Sequence, residues 1–131
     1  MLTRLRDGNT GPVQSAESQK GMELAFETVA LRQICESDIE ARKCYPEEMV
    51  EELHARLADM RAAASVSDLV AGTPSLDARP PASIRFSLDG GYELVCVGNH
   101  PRPTLTNDGL VDFGRMRRVR VVAILQERQN G

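Results

Sequence analysis

Two runs of strict alternation lie between Ser83 and Val97. In the first, Ile84, Phe86 and Leu88 alternate with Arg85 and Ser87; in the second, Tyr92, Leu94 and Cys96 alternate with Glu93, Val95 and Val97. A period of two is the mark of strands with one buried face. Asp89-Gly90-Gly91 separates the runs and supplies residues that tolerate positive φ, so the stretch predicts a β-hairpin. A third strand is predicted from Arg118 to Leu125, where Val119, Val121, Ala123 and Leu125 alternate against Arg118, Arg120, Val122 and Ile124. Being apolar on nearly both faces towards its end, it is expected to be central or covered by helices.

Upstream the period changes to that of helices. After a short alternating stretch, Glu23 to Phe26, which predicts an edge strand, Thr28 offers an N-cap for a helix ending around Lys43. Pro46 then suits a first helical position, and Glu47, Glu48, Glu51 and Glu52 suit the positive end of a second helix. Val50, Leu53, Leu57, Met60 and Ala64 form its apolar stripe. His54 lies beside that stripe without a second metal-type residue at helical spacing, which points to packing or surface rather than a ligand. Ser65 to Asp68 predicts a short turn, Gly72 to Pro81 a loop, and Pro80-Pro81 the point where the sheet begins. Gly98 to Gly114 reads as a long loop, either functional or covering a sheet edge, with the second favoured.

The expected fold is a small α+β domain over residues 22–131: an antiparallel sheet packed on two N-terminal helices. Residues 1–21 lack a sustained apolar period and are expected to form a flexible arm. With 41% apolar and 27% charged residues the chain is in the globular range; with 4% aromatics and no Trp its core is aliphatic, and base stacking on a row of aromatics is disfavoured. The net charge of −3 hides an asymmetry. Residues 22–78 carry 5 Lys/Arg against 12 Asp/Glu, a net of −7, whereas residues 79–131 carry 8 against 5, a net of +3. An acidic face is ordinarily a solvated one, but a basic sheet on an acidic body also suits phosphate binding. Cys35, Cys44 and Cys96 form no C-x-x-C pair and fit reduced, buried thiols in a cytoplasmic protein. No long apolar run predicts a membrane span.

Motifs for phosphate cradling, zinc binding or serine hydrolysis are absent, so no metal or cofactor is expected. The remaining candidates for chemistry are Arg79, Arg85, Arg115, Arg117, Arg118 and Arg120, whose guanidinium forks suit phosphate. They are equally readable as strand residues that keep sheet edges soluble. Tyr92 is either a proton donor or a half-buried strand residue.

Arg56 to Leu69, the segments F-S-L-D-G-G-Y-E-L-V and N-H-P-R-P, and D-G-L-V-D-F-G-R leading to R-V-R-V-V-A-I together resemble the RelE/ParE toxin superfamily, in its HigB-like branch. The resemblance runs from about Met22 to Leu125. It implies a βααβββ microbial RNase fold and the toxin of a type II toxin–antitoxin pair. Such a toxin cleaves mRNA at the ribosome without metal and is silenced by a helix-turn-helix antitoxin. On the matching positions, Arg79, Arg85, Tyr92 and Arg128 stand where the catalytic set is expected, with Arg115, Arg117, Arg118 and Arg120 as RNA contacts. The chain departs from the pattern in having no lysine ahead of the first hairpin arm and in placing Glu93 where an arginine is common. Those departures keep two alternatives open, a non-catalytic binding or regulatory protein of the same fold and a gyrase-directed toxin.

Overall fold

The helices begin where short polar side chains cap them. In the computed structural model, which describes residues 21–69 and 73–126, Thr28 Oγ1 accepts the Leu31 N–H at 3.1 Å and opens α1, Val29–Glu36. Ser37 then leaves helical geometry (φ −126°, ψ 118°), and its Oγ accepts the Glu40 N–H at 3.2 Å to open α2, Asp38–Cys44. The single helix expected from Thr28 to Lys43 is therefore two, broken by a cap. Pro46 is the residue before α3, Glu47–Ala62, rather than its first helical position. Met49, Val50, Leu53, Leu57 and Met60 of α3 are buried, as the stripe predicts, while Ala64 lies beyond the helix and is exposed. His54 bonds the Ile34 carbonyl at 3.1 Å and so joins α3 to α1, the packing role expected of it.

Five strands form one sheet: β1 Glu23–Phe26, β2 Ser75–Asp77, β3 Ser83–Leu88, β4 Tyr92–Gly98 and β5 Arg118–Gln126, in the order β1-β5-β4-β3-β2. The protein is α+β, the hairpin is as predicted, and β5 lies inside the sheet, between β1 and the central β4. Gly90 and Gly91 in the turn both have φ of 81°. The sheet is mixed rather than antiparallel, however, because β1 runs parallel to β5. Among the described residues three helices rather than two precede the hairpin. β2 occupies part of the stretch expected to be loop, pairing antiparallel with β3.

A second correction concerns β5. Val95 pairs with Ala123 but Cys96 pairs with Val121, so Val122 is the extra residue of a bulge. A bulge shifts the alternation by one residue. Beyond it Ile124 packs on the core and Leu125 is exposed, the reverse of the predicted pattern.

The helices contribute Met49, Leu53, Leu57 and Met60 to the core, and the sheet contributes Ile84, Phe86, Leu88, Leu94, Cys96, Val119 and Val121. The Glu52 carboxylate accepts the Asp89 backbone N–H and ties α3 to the hairpin turn. The long loop after β4 is anchored: Val111 and Met116 are buried, the Val111 N–H donates to the Ala78 carbonyl at 2.8 Å, and Met116 O accepts the Val66 N–H. A Cβ at Gly98 would meet Pro81 O at 2.6 Å and Met116 Cε at 2.7 Å, so glycine there lets the loop close against the strand end. The expectation of a flexible arm over residues 1–21 falls, but for Gly21, outside the described residues, as does that of a catalytic Arg128.

Candidate functional site

Strand register divides the side chains between two faces. Ile84, Phe86 and Leu88 of β3 pair with Cys96, Leu94 and Tyr92 of β4 on the side of the helices. Ser83, Arg85 and Ser87, with Val97, Val95 and Glu93 opposite them, therefore point the other way. Arg118 and Arg120 of β5, partnered by Glu23 and Ala25 of β1, share that second face, as do Ala123 and Leu125 beyond the bulge. No described helix packs on it. Its floor is apolar: Val95 is only 6% exposed although it is not part of the helix-side core, and Leu125 is 47% exposed.

Each arginine on this face has an acid beside it. Arg85 Nη1 lies 3.1 Å from Glu93 Oε1, across the hairpin. Arg79, at the rim, forks onto Asp77 with Nε to Oδ1 at 3.1 Å and Nη2 to Oδ2 at 2.7 Å. These bonds hold the Asp77 carboxyl down at about 2 and raise the Arg79 guanidinium above its ordinary value. Arg118 Nε is 3.4 Å from Glu23 Oε1, and Arg120 Nε 3.2 Å from Glu27 Oε1. The last is an ion pair by distance only, since the Arg120 Nε hydrogen is buried without an aligned acceptor. Four guanidinium groups thus face four carboxylates, and the face carries no net charge from these pairs. Among the described residues, the predicted excess of positive charge is absent from the surface where it was expected.

Against these pairs the sequence-derived site divides into three groups. Arg79 and Arg85 sit on or at the rim of the open face, with Arg118 and Arg120 towards its other edge. Tyr92 belongs to the opposite, helix-facing side, half-buried with its ring edge-on to Tyr45 (5.3 Å between centroids, 89° between planes). Arg115 and Arg117 lie off the sheet and, with Ser65, Ser67, Asp68 and Thr104, line a polar depression of about 630 Å³. No protein-family model, curated protein or solved structure matches the chain. The face is accordingly interpreted from its own chemistry.

A shallow depression of about 420 Å³ runs along its rim, lined by Asp77, Arg79, Pro80, Pro81, Ser83 and Val97. No described residue on the face is a histidine or lysine, and its carboxylates, the other candidates for a proton acceptor, are each held beside an arginine. Among the described residues no cluster of His, Cys, Asp and Glu is arranged to hold a metal ion. Burial pushes the Cys35 and Cys96 thiols up to about 12, which makes them inert core residues. No helix among the described residues is long and apolar enough to cross a membrane.

One residue has a role that the sequence did not disclose. His100 Nε2 accepts the backbone N–H groups of Arg117 and Arg118 at 3.0 and 3.1 Å, pinning the start of β5. Both acceptor bonds require the neutral ring, and burial, followed by the Arg118 charge, holds its pKa below the ordinary value. The N-H-P-R-P segment gave its position but no signal for a contact seventeen residues away.

Proposed function

We propose that this protein is the toxin component of a type II toxin–antitoxin pair, of the RelE/ParE superfamily and its HigB-like branch, and that it acts by binding its target through the open sheet face. The family reading is supported by the resembling segments falling on successive elements: the end of α3, the hairpin, the Asp108-Gly109 turn with Gly109 at φ 80°, and β5. The observation that carries binding over cleavage is the neutral, apolar-floored face. Cutting RNA calls for cations and a proton acceptor at fixed places. Here the guanidinium groups answer carboxylates and Tyr92 is on the other side of the sheet.

Ribosome-dependent mRNA cleavage, in the cytoplasm and without metal, is the second reading, favoured by the exposure of the pairs. The Arg85 and Glu93 side chains are 46% and 34% exposed. An exposed pair contributes about 0–1 kcal/mol, so a phosphate can displace the carboxylate. A gyrase-directed action belongs with the first reading, because a protein target needs no nuclease residues.

Expression of the full chain without its antitoxin tests the proposal. Growth arrest is expected, relieved by a helix-turn-helix antitoxin from the adjoining reading frame; undisturbed growth refutes it. Val97→Asp and Leu125→Asp place charge on the apolar floor and should abolish arrest, while Arg85→Ala should not. Loss of arrest in Arg85→Ala, with mRNA cleavage by the parent protein in the presence of ribosomes, hands the case to the nuclease.

A further inference from the structure

β1 lies at the edge of the sheet, and its backbone is only half used. The Glu23 and Glu27 N–H groups donate to the carbonyls of Arg117 and Val121, both at 2.8 Å. In such a parallel ladder the intervening residues turn their N–H and C=O groups to the other side, so Leu24 and Phe26 present theirs along the free edge. No described strand pairs there. Edge strands are usually blunted by inward charges, proline or a covering loop. β1, Glu-Leu-Ala-Phe, has no proline and no inward charge: Leu24 and Phe26 turn towards the helices, and Glu23 and Ala25 lie on the open face.

Beside this edge runs a groove of about 430 Å³, lined by Leu24, Phe26, Thr28, Val29, Arg32 and Glu36 and by no inner strand. Val29, on the first turn of α1, is 72% exposed, the most exposed large apolar residue among those described. An unpaired row of backbone groups, and a groove along it that offers apolar side chains (Leu24, Phe26, Val29) beside charged ones (Glu27, Arg32, Glu36), meet the requirements for adding an amphipathic strand.

We propose that the free edge of β1 is a strand-addition site for an extended segment of a partner protein in which apolar residues alternate with Lys or Arg. Its apolar side chains lie on the helix side, beside Leu24, Phe26 and Val29. Its basic side chains lie on the open side, beside Glu23 and Glu27, whose side chains are 57% and 51% exposed. Each of those acids already has one arginine on its β5 side, and the added strand supplies a cation on the other. A second copy of the chain fits poorly. Full antiparallel overlap about Ala25 sets each Glu23 against a Glu27, and like charges directly opposite destabilise a strand pair. The site is independent of the toxin reading, since it uses neither the open-face arginines nor the apolar floor.

The test uses the full chain and a capped octapeptide of alternating Lys and Val. The readouts are backbone amide shifts and hydrogen exchange at Leu24 and Phe26. Saturable protection of those two amides is expected. Replacing Lys by Glu, or N-methylating either the Lys or the Val nitrogens, should weaken binding about tenfold in the charge-reversed peptide and in at least one methylated one. Absence of any change at Leu24 and Phe26 up to about 1 mM peptide, undiminished binding by both methylated peptides, or undiminished binding by the charge-reversed peptide overturns the proposal. So does protection of these amides in the peptide-free protein, whether it grows with protein concentration, meaning a second copy, or not, meaning the chain's own residues.

Discussion

The two sides of the sheet are built from the same strands by the same alternation, yet they are held differently. On the helix side Ile84, Phe86, Leu94, Val119 and Val121 are fully buried among side chains of α3. On the other side Val95 is nearly as buried although it stands outside that core, and the polar positions around it carry matched charges. Burial by a covering layer is a matter of stability. Burial without one leaves an apolar floor in reach of a partner, and pairing the charges removes electrostatics as the main discriminant of what binds.

Removing a side chain from the covered side tests that contrast most severely. Phe86→Ala should cost about 3–5 kcal/mol, read as a lower urea midpoint, because no backbone shift can fill a void between sheet and helix. A loss below about 1 kcal/mol would mean that the helices do not seal this face.

His100 sits where the long loop holds the start of β5 and hence Arg118. Its substitution by Ala removes the acceptor of two exposed backbone N–H groups that water can then reach, at an expected cost of about 0.5–1.5 kcal/mol. The pH dependence has a fixed sign. The folded pKa lies below the ordinary 6.5, so the unfolded chain takes up the proton first. This contribution is therefore complete above pH about 6.5 and is lost as the pH falls through the folded pKa. Thermal melts of the parent protein between pH 8 and 5 should show that decline, and His100→Ala should flatten it.

Local patterns made much of this legible. The alternation from Ile84 to Val97 and the stripe from Val50 to Met60 each depend on neighbours within one element, so the hairpin and α3 could be read directly. The break at Ser37 was also written in the chain, as Ser37 followed three residues later by Glu40, but the apolar period of Ile34 and Cys35 continues across it and hides the cap. The parallel partnership of β1 with β5 joins residues almost a hundred positions apart, and no local period encodes it. The bulge at Val122 depends on β4 and was equally invisible. The candidate site suffered most from this. Arginine identities were readable, but whether each met phosphate or carboxylate was decided by register. Arg79 with Asp77, two residues apart, and Arg85 with Glu93, diagonal neighbours in one hairpin, are the pairs the sequence itself could have disclosed.

A smaller change probes the floor of the open side. Val95→Ala removes two methyl groups, worth about 0.8 kcal/mol each when buried, and should cost roughly 1.5 kcal/mol. Because no helix lies over it, neighbouring side chains can relax into the space, and the cost should fall short of a comparable deletion at Val119 or Val121. Equal losses at all three sites in urea denaturation would erase the distinction between the faces.

The smallest effect is the most informative about function. A double-mutant cycle on Arg85→Ala and Glu93→Ala should return a coupling of about 0.2–1 kcal/mol, as for other half-exposed pairs. It should shrink in 1 M salt, where the screening length is about 3 Å. A coupling of that size leaves the pair able to open for an incoming phosphate, although its net charge gives RNA no reason to approach. Glu93→Gln separates these two statements. It frees Arg85 without removing side-chain bulk, so any latent affinity for RNA should rise, with a salt dependence steeper by roughly one contact. If RNA binding is absent in both Glu93→Gln and the parent protein while the growth phenotype persists, the open side works on a protein.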